Sequence, residues 1–267
     1  MSGRRIAFLV GFAALGYGIW TRVPLGESTS DLLPALAAFP LYYWFTRPWR
    51  WRAEGPKWAQ GPFIAGVLLL VLGVAVDSTL VLAVGWVSLW RGWMVSETEV
   101  DTPTTKWRPL MLLVLGFPWL GIEGQAIGWW FRYSGAWAAG GLFEVAGLAV
   151  TRDGTFLNVQ GLPLAVDAAC SGLHALQAML VAGTVLALGV LPGWKFWLGM
   201  GLLPLLAWVA NLLRIVTLGV TGLTFGSDAA MGWFHSWGGW GVLMVMFMLC
   251  STVFNFMGRR PTTGSIA

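Results

Sequence analysis

Asp167-Ala168-Ala169-Cys170-Ser171-Gly172-Leu173-His174 marks the junction where a polar, turn-rich segment gives way to a long apolar run. It carries one of the chain's two cysteines and one of its two histidines. A thiol at a helix start, at the edge of a membrane, is a reactive placement rather than a packing one. The helix N-terminus and nearby cations lower thiol pKa values. Two later residues read as aimed at this thiol: Arg214, deep in an apolar run, and His235, which opens the last one.

The whole chain has the same character. It is 57% hydrophobic and only 10% charged, where a soluble domain carries about 25% charged residues. That composition excludes a large soluble core and predicts an all-α polytopic membrane protein, with residues 1–267 forming a single membrane domain. Nineteen Trp and 36 Gly suit interfacial anchoring and close helix packing. Cys250 lies inside an apolar run and reads as a small buried hydrophobe, so the two cysteines form no disulfide framework. The net charge of +4 reads as membrane topology, not as nucleic-acid binding.

A span needs about 20 apolar residues. Spans are predicted near residues 5–21 and 32–46, and then as a hairpin of 63–76 and 79–93 turning at Asp77-Ser78. The first follows Arg4-Arg5 like a signal peptide but shows no clear small-residue cleavage site, so it reads as a transmembrane helix. A short span is expected at 110–122. Residues 125–150, with Trp129, Trp130, Arg132, Tyr133 and Trp137 clustered, read as an amphipathic helix lying along the outer interface. Asp153-Gly154 marks the turn of a small extracytoplasmic hairpin over 151–166. Three strong spans close the chain at 170–191, 194–223 and 233–257.

Charge decides the topology, because Lys and Arg concentrate in inner loops. Eight crossings with both termini inside put twelve of the 16 Lys and Arg on the inner face. Arg22, Arg132 and Arg152 then lie outside, and Arg214 within a span. The same topology brings Cys170, the outer half of the Arg214 span and His235 to the outer face.

Each of these residues has a bland reading and a chemical one. A charge inside a span costs about 2.5–3.5 kcal/mol even on the lenient insertion scale and is functional by default. Arg214 can stabilise a thiolate, bind a substrate carboxylate or donate to an oxyanion. Its alternative is a structural ion pair with Asp167, Glu144 or Asp228. Asn211, one turn earlier, shares its face. His235 suits a general base and acid, or else an interfacial histidine among tryptophans. His174, four residues after Cys170, is the rival base. His235 is favoured because a base on a separate helix approaches from across a substrate cleft. Asp167 either caps the Cys170 helix or orients a histidine, and Ser171 and Gly172 allow a substrate backbone to come close. A second reading makes Cys170, His174, His235 and Asp167 metal ligands in an intramembrane hydrolase, although their spacing matches no zinc pattern. A third is a non-enzymatic transporter or assembly scaffold, with Arg214 binding an anion.

Three blocks, Asp167-Ala-Ala-Cys170-Ser-Gly-Leu, Asn211-Leu-Leu-Arg214-Ile-Val and Phe234-His235, resemble the exosortase/archaeosortase family of membrane transpeptidases. The similarity covers about residues 107–256, within a core at 106–257. Residues 1–105 share only their apolarity with the family. The resemblance implies an eight-span enzyme of the cell membrane, with Cys170, Arg214 and His235 as its catalytic set and no cofactor or metal. Its implied substrates are exported proteins ending in a short motif (Pro-Glu-Pro in many bacterial cases), a hydrophobic helix and a basic tail. A thioester would form and pass to a lipid, a glycan or water at the outer face. Asp167 stands where glutamate is usual, and Ser236 where an acidic residue is common.

Overall fold

The computed structural model describes residues 3–22, 33–52, 59–99, 106–166, 173–226, 228, 230, 232 and 235–259. Most of these are helical. The chain divides into two compact units, Met1–Gln125 and Ala126–Ala267.

In the first unit α1 (Gly3–Trp20), α2 (Leu33–Thr46), α3 (Gln60–Ala75), α4 (Thr79–Glu97) and α5 (Trp107–Leu115) precede the start of α6 (Trp119–Val145). The predicted hairpin is α3 and α4. Asp77 takes a left-handed φ of 52°, and the Ser78 hydroxyl caps α4 by accepting from the Val81 amide at 3.2 Å. Glu123 also sits at this helix start, accepting from the Leu80 amide at 2.9 Å, where the helix dipole favours a carboxylate. The two helices close on glycine: a Cβ at Gly85 would stand 2.9 Å from the Leu70 amide nitrogen. At the far end of α4, buried Glu97 accepts from Arg5 Nε at 2.7 Å.

The expected span at 110–122 does not form as one piece. α5 ends at Leu115 and α6 begins at Trp119, on either side of Gly116-Phe117-Pro118. A proline inside a helix removes a hydrogen bond and collides with the carbonyl four residues back, so the break falls at Pro118. No proline follows before Val145, and α6 runs unbroken for 27 residues. Residues 125–150 are therefore not a separate helix but mostly the second part of α6.

The second unit holds the rest of α6, three strands, α7 (Leu173–Val190), α8 (Lys195–Phe225) and α9 (His235–Gly258). Contacts between α6 and α8 advance together along both helices. Trp208 Nε1 donates to Ser134 Oγ at 2.9 Å, a Cβ on Gly135 would meet Ile215 at 3.0 Å, and one on Gly219 would meet Phe143 at 2.6 Å. The two helices thus run parallel where they meet, residues 134–143 of α6 lying beside residues 208–219 of α8.

The strands β1 (Val150–Asp153), β2 (Phe156–Val159) and β3 (Leu162–Ala165) form an antiparallel meander, one strand more than the expected hairpin. Gly154 turns the first pair with φ +59°, and Gln160-Gly161, both at positive φ, turn the second, as two-residue hairpin loops require. Leu157, Val159 and Leu164 bury one face of the sheet against Ala136, Ala139 and Phe143 of α6 and Ile215 of α8.

Among the described residues, three helical segments are long and apolar enough to cross a membrane: α4, α8 and Gly238–Gly258 of α9. Shorter apolar helices are Arg5–Trp20, Gln60–Ala75 and Leu176–Val190.

Candidate active site

Helix ends set the frame of the site. The C-terminus of α7 meets that of α9, where a Cβ on Gly258 would stand 2.5 Å from the Val190 carbonyl oxygen. The start of α8 joins them, with Lys195 Nζ donating to the Met257 carbonyl at 2.5 Å. α7 and α9 are therefore parallel to each other and antiparallel to α8. Their N-termini gather at the end where α8 finishes. The sheet lies there too, since Leu162 and Leu164 pack where Cβ atoms on Gly222 and Gly219 would stand.

Arg214 and Gly239 are level in this frame. At 1.5 Å per residue each stands about 28 Å from the closed end, and the start of α7 about 25 Å. They meet: a Cβ on Gly239 would lie 3.3 Å from Arg214 Nε and 3.4 Å from its Cζ. The guanidinium thus packs against bare α9 backbone, one turn after His235, the first residue of that helix. Glu144 and Asp228, two of the three expected structural partners, are exposed and form no ion pair with Arg214, and the third, Asp167, lies outside the described residues.

Asn211, one turn before Arg214, is turned towards α6, with Nδ2 3.6 Å from the place of a Gly135 Cβ. It is 2% exposed. Asp167, Cys170 and Ser171 lie outside the described residues. His174 is the second residue of α7.

Arg132, expected at an outer interface, occupies the middle of a longer helix than the sequence suggested. It is half-buried there, and its buried Nε has no hydrogen-bond partner among the described residues. The usable signal was the absence of any proline between Trp119 and Val145, which leaves nothing to stop one long helix.

In chemical terms, a cation held against helix backbone, a histidine-bearing helix start and a buried amide surround the end of a bundle that receives the chain after β3. A profile of transmembrane exosortases matches residues 6–252. No curated protein and no solved structure matches the chain.

Proposed function

We propose, from the premise that this chain belongs to the transmembrane exosortase family, that it is a cysteine transpeptidase or protease of the cell membrane. It acts on exported proteins that end in a short motif, a hydrophobic helix and a basic tail. Cys170 is the nucleophile. His235 takes its proton as the sulfur attacks the scissile carbonyl, and returns one to the leaving amine as the thioester forms. Arg214 stabilises the oxyanion of the tetrahedral intermediate or anchors the motif. An acceptor amine or hydroxyl, or water, then releases the thioester. His174, Asp167 and Ser171 flank the nucleophile, as residues that orient it or admit substrate backbone.

The observation that carries this reading is the approach of Arg214 to Gly239. It joins the two helices bearing the guanidinium and the favoured base, at the end of the bundle where α7 begins. An intramembrane arginine with no carboxylate partner among the described residues is costly, and a reaction that develops negative charge gives it a purpose.

Eight crossings account for the charge distribution, the fifth running over the end of α5 and the start of α6, which reaches the first turn of α4 through Glu123. Both termini then lie inside, and the catalytic end faces the extracytoplasmic side.

The test is processing of a tail-bearing precursor in membranes. Cys170→Ala should insert normally and leave the precursor uncut, and His235→Ala should be comparably inactive. Normal processing by Cys170→Ala overturns the proposal. An inactive His174→Ala beside an active His235→Ala reassigns the base.

A further inference from the structure

The thiol, guanidinium and imidazole leave one buried group without a task. Asn211 is 2% exposed, and among the described residues both Nδ2 and Oδ1 lack a hydrogen-bond partner. Buried polar groups are nearly always paired, because leaving one unmade costs the full desolvation of that group. On the facing helix Arg132 presents a buried Nε that is equally unpaired. It stands three residues before Gly135, the glycine against which the Asn211 amide lies.

The pattern of free atoms is selective. A carboxylate or phosphate only accepts, and would satisfy Nδ2 while leaving Oδ1 bare. An ammonium only donates, and would do the reverse. A peptide unit carries one donor and one acceptor, the complement of a primary amide. Helical peptide groups are already spent on their own i to i−4 bonds, so the hydrophobic helix of a tail has none to offer. An extended segment does.

We infer that Asn211 binds the main chain of the extended segment preceding a substrate's tail helix. Nδ2 donates to a peptide carbonyl and Oδ1 accepts from a peptide N–H, while Arg132 donates to a further acceptor on the same segment. The inference rests on the transpeptidase reading and adds a substrate contact made through the backbone, indifferent to which side chains the motif carries. Asn211 is then a positioning residue, three positions before the arginine that serves the reaction.

The experiment uses the full chain in proteoliposomes and, as probe, a synthetic tail of Pro-Glu-Pro, an apolar helix of about 20 residues and an arginine cluster. Binding is read in the Cys170→Ala protein and turnover in the unmodified one. Asn211→Leu, which swaps the amide for an apolar group of similar shape, should weaken the Kd about tenfold, the size of one lost hydrogen-bond pair. Its thermal midpoint should hold or rise, because an unpaired buried amide has been removed. Esters replacing, one at a time, the N–H-bearing peptide bonds of the motif and of the residues flanking it remove single N–H donors, the bonds to proline nitrogen having none to remove. One position should weaken binding to the parent and leave Asn211→Leu unaffected. The inference is overturned by an unchanged Kd in Asn211→Leu, by no measurable binding in the parent, or by a lower midpoint without a change in Kd. It is overturned as well if no ester position separates the two proteins, the result expected of a substrate side-chain amide. A tail that binds in this way but is never cut counts against the transpeptidase reading alone.

Discussion

Gly239 offers a perturbation in which stability and activity should move apart. Alanine there would place its Cβ 3.3 Å from Arg214 Nε and 3.4 Å from Cζ. That is slightly tighter than ordinary contact, and a long side chain relieves it by moving a few tenths of an ångström. Replacing a helix-interior glycine by alanine gains about 1 kcal/mol in helix propensity. Gly239→Ala should therefore hold or raise the thermal midpoint, with at most about a tenfold loss of turnover. Leucine adds three more carbons where the guanidinium now lies and displaces it by about 1 Å or more. A misplacement of that size costs up to about 10²-fold in rate, equivalent to about 2.7 kcal/mol of transition-state stabilisation. The assay is precursor cleavage in membranes, normalised to folded protein, alongside thermal unfolding in detergent. Wild-type cleavage by Gly239→Leu, or a loss that only tracks the folded fraction, refutes the assignment of Arg214 to this place in the reaction.

Arg214→Lys keeps the charge but loses the planar fork of donors. Turnover should fall about 10²-fold or more while the thermal midpoint stays put, and full activity would show that a point charge suffices. Glu97→Ala leaves Arg5 Nε without its carboxylate in a site where the two side chains are 19% and 4% exposed. Breaking a buried pair from one side costs about 3–5 kcal/mol. Thermal unfolding should show a clear drop in midpoint with activity per folded molecule retained, and a stationary midpoint would show the pair to be idle.

Where the fold matched expectation, the signals were short-range. The turn at Asp77-Ser78 needs one residue able to take positive φ and one hydroxyl to cap the next helix, and both are adjacent in sequence. Asp153-Gly154 announced the first β-turn in the same way. The hairpin expected from that one turn signal leaves out the third strand, whose Pro163 is tolerated because β3 is an edge. Residues 125–150, expected as a helix of their own, instead continue α6, because no proline or turn separates them from Trp119. Trp129, Trp130 and Trp137 are exposed, while Ala136 and Ala139 are buried against the sheet.

By itself the sequence determined that the chain belongs in a bilayer, roughly where its helices start and stop, and that a charge is embedded in one of them. These are properties of single residues and near neighbours: transfer cost, turn conformation, capping. Only the tertiary structure decided that Arg214 rests on α9 one turn from His235, that Asn211 is turned to α6, and that α6 stands parallel to α8. Gly135 is more than seventy positions from Asn211, and the residues permitting both close approaches are glycines, which advertise no partner. What brings such helices together is surface fit along their whole length, and a fit between two surfaces is not written in either one alone.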